Sequence, residues 1–245
     1  MEHVLITGSA RRLGSLIAAD LGAAGCFVWI HYRTHGDEAD ALRKRILENG
    51  GAADCVQADL TDPRQIDRML GQITASGHGD LTTLINNASV IKKGTLGDTS
   101  AEDWDRLMDT NLKAVWYMST RFAESFPDGR RIITIGDASV SKGFAGHAVY
   151  GLSKYALKYL TEQMAVAYAP KIWVNLLSPG LVLQGDTETD ESWNRRVKRT
   201  LIDNSGITDA VLKGVRFLMT DPGLTGSELM IDNGLHLHGK PEIMK

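Results

Sequence analysis

Tyr150 and Lys154 are four residues apart, about one turn of a helix, and Asp137 lies thirteen residues before the tyrosine. Residues at this helical spacing share a face, so the lysine ammonium is expected beside the phenol. A nearby cation favours the phenolate and lowers a tyrosine pKa that is ordinarily about 10. The three residues therefore predict a donor of a proton to a substrate oxygen or nitrogen. Taken alone, the pair also fits a half-exposed helix face with an extended lysine.

A glycine-containing turn follows the first apolar run of the chain. Residues 3–7 read as a strand and residues 15–24 as an apolar-periodic helix, and free N–H groups at such a helix start form a phosphate site. The position where dinucleotide-binding turns carry a glycine holds Arg12, which can pair with an additional phosphate. The residues predicted to hold the phosphates are Gly8, Arg11, Arg12, Leu13 and Gly14.

The end of the second predicted strand, residues 26–31, indicates which nucleotide binds. An NAD-specific site would place an acid here to accept a hydrogen bond from the ribose 2′-hydroxyl. The chain instead continues with Tyr32, Arg33 and Thr34, and no carboxylate comes before Asp37. Because Arg33 and Arg12 together can clamp a 2′-phosphate, the sequence favours NADPH. The alternative for Arg33 is a solvated loop charge.

Composition agrees with one enzyme domain over residues 1–245. The alternating strands and helices run without a linker, 43% of the residues are hydrophobic, and the net charge of -3 disfavours nucleic acid or an anionic membrane as partner. Cys26 and Cys55 are too few for a disulfide framework. No apolar run approaches a membrane span and no signal peptide precedes the first strand, so we expect a cytoplasmic protein. His236 and His238 lack a third ligand, so we expect no metal.

The remaining elements alternate as a doubly wound fold requires. The predicted strands span residues 54–58, 81–85, 130–136, 172–177 and 228–231, and the predicted helices span 37–49, a segment after 61–63, 100–125, 147–168 and 209–220. A polar stretch after the sixth strand lies where open α/β sheets bind ligands, so residues 181–206 are predicted to form a substrate lid with a short helix around Trp193. A solvated insertion without substrate contact is the alternative.

Short motifs follow one another in order along the chain; they are residues 7–14, 59–60, 86–89, Asn111, Tyr150 with Lys154, 178–180, 225–226 and 232–234. In this order they resemble the motifs of the short-chain dehydrogenase/reductase family over nearly the whole chain. The resemblance implies a doubly wound, Rossmann-type sheet of seven parallel strands, an NAD(P) cofactor, and homotetramers or homodimers built on two long helices. It also implies roles for the catalytic residues: Tyr150 donates the proton, Lys154 holds the nicotinamide ribose and acidifies Tyr150, and Asn111 supports a water path to Lys154. The further cofactor-binding positions that it implies are Asp59, Leu60, Asn87, Ala88, Ser89, Tyr150, Lys154, Pro179 and Gly180.

Two departures from the common family pattern resemble pteridine reductases and bacterial dihydromonapterin reductases. Asp137 stands where most members have serine, and Arg12 replaces a glycine. Residues 31–35, 87–89 and 179–183 are similar to the same subgroup, which implies NADPH-dependent reduction of a dihydropterin or dihydrofolate C=N bond. Asp137 would then anchor the substrate and relay protons. In the alternative, Ser139 acts as the family serine and Asp137 only caps a turn.

One position departs from the subgroup. Pteridine reductases carry an aromatic residue, which stacks on the pterin, where this chain has Ile91. Phe144 or Trp193 can substitute for it, and Leu181 and Leu183 complete the predicted substrate contacts. Two other functions stay open: a carbonyl reductase for 3-oxoacyl, sugar or quinone substrates, and a non-catalytic NADP(H)-binding regulator.

Overall fold

The protein, described by a computed structural model, is built on one sheet of seven parallel strands in the order β3-β2-β1-β4-β5-β6-β7. The structure describes residues 1–126, 129–141, 146–220 and 223–237. Strand order reverses between β1 and β4, which is the switch point where open α/β sheets bind ligands. The strands are β1 His3–Ile6, β2 Phe27–Tyr32, β3 Ala52–Gln57, β4 Thr83–Asn86, β5 Arg131–Ile135, β6 Trp173–Pro179 and β7 Glu228–Ile231.

Helices cover both faces of this sheet. The helices are α1 Arg12–Ala23, α2 Gly36–Glu48, α3 Pro63–Ala75, α4 Ala101–Met108, α5 Ala114–Ser125, α6 Ala148–Tyr168, α7 Asp190–Val197 and α8 Ile207–Met219. Successive strand residues point to opposite faces, so Leu5 packs with α3, α5 and α6, whereas Val4 and Ile6 pack with α1, α2 and α8. Strands buried on both sides explain the nearly continuous apolar runs of the sequence.

The predicted alternation of strands and helices is confirmed, and the differences lie at the ends of elements. The helix α1 begins at Arg12, three residues before the predicted start. Asp62 and Ser100 cap α3 and α4 by accepting hydrogen bonds from Arg64 N at 3.0 Å and Asp103 N at 3.2 Å. The predicted single helix over 100–125 is interrupted by a π-helical turn, Asp109–Lys113.

Within the described ranges, no helix is both long and apolar enough to cross a membrane.

Candidate active site

The turn between β1 and α1 needs glycine at two positions. Gly8 has a φ of +62°, and a Cβ there would lie 2.9 Å from the Cα of Ala88. A Cβ on Gly14 would lie 2.6 Å from Nδ2 of Asn87. Arg12 occupies the same left-handed region with a φ of +53°, as a glycine would. The backbone therefore keeps the shape of a dinucleotide-binding turn although Arg12 replaces the glycine.

The N-terminus of α1 is open to an anion. Its N-cap, Arg11, makes no side-chain capping hydrogen bond, and the first turn holds no acidic residue. Unpaired N–H groups and the positive end of the helix dipole together favour a phosphate at this place. The guanidinium groups of Arg11 and Arg12 add two positive charges beside it.

His31 is a functional residue that the sequence reasoning missed. Its Nδ1 accepts a hydrogen bond from Gly8 N at 2.9 Å, and its Nε2 lies 3.1 Å from the carbonyl oxygen of Ala58. Burial lowers the pKa of His31 to about 4, so the ring is neutral and its Nε2–H donates to Ala58. The imidazole thereby fixes the glycine turn against the ends of two strands. A histidine within the apolar run of β2 was the available signal, since a buried polar side chain needs partners.

A second set of hydrogen bonds ties the loop after β4 to the same turn. The side-chain oxygen of Thr7 accepts from the backbone N–H groups of Asn87 and Ala88 at 2.9 and 3.0 Å. The amide of Asn87 donates to the carbonyl oxygens of Thr7 and Gly8 at 2.9 and 3.1 Å. The predicted cofactor residues of the two loops are thus held as one unit.

Asp137 follows β5 and contacts two neighbours through its two oxygens. Its Oδ2 accepts a hydrogen bond of 2.7 Å from the hydroxyl of Tyr150. Its Oδ1 accepts from Ser139, both from the backbone N–H at 2.8 Å and from the hydroxyl. The turn cap considered as an alternative is present, and it holds Asp137 against Tyr150 rather than away from it.

The predicted acidification of Tyr150 by Lys154 is wrong in this structure. Burial raises the pKa of Tyr150 well above its ordinary value, and the charge of Asp137 and its hydrogen bond raise the pKa further. Lys154 directs its Nζ to the carbonyl oxygen of Ile135 at 2.8 Å, and burial lowers its pKa to about 8. The helical spacing was correct, but desolvation and the facing carboxylate of Asp137 determine the direction of the shift.

Asn111 lies in the π-helical turn and is buried away from the cavity. Its Oδ1 accepts from the hydroxyl of Ser89 at 3.1 Å and from Val90 N at 2.8 Å. Its Nδ2 donates to the carbonyl oxygen of Val90 at 2.9 Å and to the hydroxyl of Ser153 at 3.0 Å. The side chain connects the loop after β4 to α6, and its role in a water path stays a prediction. Insertion of a π turn is frequent at functional sites.

All predicted site residues except Asn111 and Trp193 meet at one cavity of about 570 Å³ at the carboxyl ends of the strands. Arg33 and Arg12 both line the cavity, but each lies beside a carboxylate. Nη1 of Arg33 is 4.0 Å from Oδ2 of Asp59, and Nη1 of Arg12 pairs with Oδ1 of Asp186. The predicted residues that line the cavity are Gly8, Arg11, Arg12, Leu13, Gly14, Tyr32, Arg33, Thr34, Asp59, Leu60, Asn87, Ala88, Ser89, Ile91, Asp137, Tyr150, Lys154, Pro179, Gly180, Leu181 and Leu183.

Trp193 does not line the cavity, and its contact with the substrate stays a prediction. Its ring packs instead against Arg196, whose guanidinium carbon lies 5.9 Å from the ring centroid and which lines the cavity itself. Phe144 and His238 lie outside the described residues. Within the described part of the chain, no group of three or more His, Cys, Asp or Glu residues is placed to hold a metal ion.

Comparisons with known proteins agree with this geometry. A family model described as enoyl-(acyl carrier protein) reductase matches residues 8–236. The short-chain dehydrogenase/reductase FrzI of Cladobotryum sp is 30% identical over 96% of this chain and 95% of its own length. The 3-oxoacyl-[acyl-carrier-protein] reductase FabG of Haemophilus influenzae is 31% identical over 95% of this chain and 97% of its own.

Among solved structures, the chain resembles FolM alternative dihydrofolate reductase 1 from Brucella canis in complex with NADP. The TM-score is 0.91 at 30% identity, and the match covers 100% of this chain and 97% of that one. Several other matching structures also contain NADP.

Proposed function

This chain belongs to the short-chain dehydrogenase/reductase family and is an NADP-dependent reductase, and we propose that it reduces the C=N bond of a dihydropterin or dihydrofolate. The observation that carries this proposal is the hydrogen bond of 2.7 Å from the Tyr150 hydroxyl to Oδ2 of Asp137. The likeness to FolM, a protein named as an alternative dihydrofolate reductase, supports the same substrate class.

The residues along the cavity fit the cofactor. The glycine turn brings backbone N–H groups and two guanidinium groups to the same part of the cavity. A Cβ on Gly8 would collide with the backbone of Ala88, so only glycine fits this position of the turn. We assign the phosphates to the turn from Gly8 to Gly14, the 2′-phosphate to Arg33 with Tyr32 and Thr34, and the nicotinamide ribose to Lys154. When bound, NADPH supplies the hydride. The remaining proposed contacts are Asp59, Leu60, Asn87, Ala88, Ser89, Tyr150, Pro179 and Gly180.

A carboxylate beside the proton donor favours reduction of a C=N bond over a C=O bond. A hydride added to a ketone leaves negative charge on the oxygen, which Asp137 would repel. A protonated C=N bond carries a positive charge before the hydride arrives, and Asp137 stabilises that charge. Serine, which most family members carry at this position, lacks this electrostatic preference.

The proton reaches the substrate nitrogen from Tyr150. Tyr150 first protonates the C=N nitrogen; the π bond then breaks as the carbon gains the hydride and its electron pair passes to the nitrogen, and the product is an amine. Although the pKa of Tyr150 is raised, an imine nitrogen is much more basic than a ketone oxygen and accepts a proton from a weaker acid. Ser139 holds Oδ1 of Asp137, so that Oδ2 stays directed at the tyrosine.

A second candidate function is reduction of a 3-oxoacyl, sugar or quinone carbonyl. Two observations favour it: the side chain at the position of the pterin-stacking ring is aliphatic, with Ile91 57% exposed, and Ser139 lines the cavity, where its hydroxyl would have to leave Oδ1 of Asp137 to donate to a ketone oxygen. The similarity to FabG supports the same alternative. Ser139 therefore supports reduction of a carbonyl group, whereas Asp137 supports reduction of a C=N bond.

The testing experiment follows NADPH oxidation with dihydrobiopterin, dihydromonapterin and dihydrofolate, and separately with ketones and 3-oxoacyl thioesters. We expect dihydropterin turnover, which Asp137→Ser abolishes without weakening NADPH binding. Ser139→Ala is the matched control, because it keeps the carboxylate and removes a hydroxyl that bonds to it. Turnover of ketones alone, lost in Ser139→Ala, would favour the carbonyl reductase. NADPH binding without any turnover would favour a regulator.

We further expect a homodimer or homotetramer built on α4, α5 and α6. Exposed apolar side chains on α5 and α6 support this expectation; they are Trp116, Leu152, Tyr155, Tyr159 and Val166. The cytoplasmic location stays a prediction.

A further inference from the structure

Asp186, between β6 and α7, is bound by both arginines of the glycine turn. Its Oδ2 lies 3.3 Å from Nη2 of Arg11, and its Oδ1 accepts from Nη1 of Arg12. Nη2 of Arg12 also donates to the carbonyl oxygen of Gln184 at 3.0 Å. A segment predicted only as a substrate lid is thus attached to the phosphate-binding turn.

The segment that carries Asp186 is braced internally up to α7. The amide of Gln184 donates to the carbonyl oxygen of Glu188 at 2.8 Å and to Oδ1 of Asp190 at 2.9 Å. Glu188 in turn pairs with Arg196 at 3.0 Å. These hydrogen bonds and this ion pair connect the segment that carries Asp186 to Arg196, which lines the cavity.

The backbone of Arg12 points to a side-chain role. A non-glycine residue at a φ of +53° is strained, and glycine would adopt this conformation without that strain. A guanidinium has five N–H donors in a planar fork, so Arg12 can bind Asp186 along one edge and a phosphate along another. An arginine already held in one orientation loses less rotamer freedom when a phosphate binds.

We propose that Asp186 is a positioning residue for the cofactor. It holds the guanidiniums of Arg11 and Arg12 at the N-terminus of α1, where they meet the cofactor phosphates, and it ties residues 184–197 to the bound cofactor. The inference depends on NADP(H) binding and not on the identity of the substrate, so it stands or falls separately from the proposed pterin reduction.

The first test measures the dissociation constant of NADPH by calorimetry. Asp186→Asn is expected to weaken binding by about 3- to 10-fold, the range for loss of one or two exposed ion pairs. Asp186→Glu should restore part of the affinity, and Glu191→Gln, which removes the same charge from the same segment, should leave it unchanged. If Asp186 acts through Arg11 and Arg12, adding Asp186→Asn to the double variant Arg11→Ala/Arg12→Ala weakens NADPH binding no further.

The second test is limited proteolysis with trypsin, which can cut after Arg195, Arg196, Lys198 and Arg199. Saturating NADP⁺ should slow these cuts in the wild-type protein and much less in Asp186→Asn compared at equal saturation. Equal or tighter NADPH binding by Asp186→Asn, a further loss of affinity when Asp186→Asn is added to Arg11→Ala/Arg12→Ala, or equal protection of both proteins would overturn the proposal.

Discussion

His31 is expected to make both folding and cofactor binding depend on a neutral imidazole. The ring accepts from Gly8 N and donates to the carbonyl oxygen of Ala58, and it is fully buried. Replacing His31 with leucine leaves two buried polar groups without partners, at a cost of about 1–3 kcal/mol each. We therefore expect His31→Leu to lower the free energy of unfolding by about 2–6 kcal/mol and to weaken NADPH binding by distorting the glycine turn.

The pH dependence follows from the pKa of His31, which falls from 6.5 to about 4 on folding. Because the native pKa lies below that of the unfolded chain, the unfolded chain binds more protons as the pH drops. Stability is therefore complete above about pH 6.5 and is lost as the pH falls toward about 4. From these two values, His31 accounts for a loss of about 2 kcal/mol between about pH 7.5 and about pH 5.

Urea unfolding of the wild-type protein, His31→Leu and His31→Asn at these two pH values measures this contribution. Asparagine keeps an acceptor near the position of Nδ1, so His31→Asn should be destabilised by about half as much as His31→Leu. His3→Leu is the matched control, since His3 also has a pKa lowered by burial but lies at the opposite end of β1. Equal losses of stability on acidification in the wild-type protein and His31→Leu would refute the reasoning.

Three further predictions concern the catalytic and cofactor residues. Asp137→Asn removes a negative charge near the substrate nitrogen. At a separation of about 4–5 Å this charge stabilises the protonated nitrogen by about 3–4 kcal/mol, so single-turnover reduction of a dihydropterin should slow by roughly 10²- to 10³-fold. A change under about 5-fold would contradict the proposed role. Lys154, with a pKa of about 8, loses its charge as the pH rises through that value, so NADPH affinity should fall above about pH 8. Lys154→Arg, which stays charged, should lack this fall. An equal fall in NADPH affinity in the wild-type protein and in Lys154→Arg would count against this role of Lys154. Arg33→Asp should shift the ratio of NADPH to NADH affinity by at least about 10-fold toward NADH. The two dissociation constants measure this ratio, and a preserved ratio would exclude Arg33 from the 2′-phosphate site.

Local pattern was sufficient for the elements of the fold. Apolar runs and their periodicity predicted the helices and strands to within a few residues, because periodicity is a local property of one or two turns. The interruption by Asp109–Lys113 was not predicted, since a π turn depends on how the helix packs.

The sequence predicted most residues of the candidate site, but not all of them. Most of the residues named from motifs line one cavity, because motif order places them at the carboxyl ends of parallel strands. Trp193 was predicted at the site but does not line the cavity, since the local pattern places a residue on a helix such as α7 without fixing how that helix is oriented toward the sheet. His31 was missed because its two partners, Gly8 and Ala58, are far from it in the chain.

By itself, the sequence determined which residue types were available: the pair Tyr150 and Lys154 one turn apart, Asp137 in place of serine, and arginine where a dinucleotide turn has glycine. Only the tertiary structure decided how they act. The pKa of Tyr150 rises instead of falling, because desolvation and the carboxylate of Asp137 act through space and depend on burial. The contact between Arg12 and Asp186 joins residues 174 positions apart, a pairing that only the folded chain brings about.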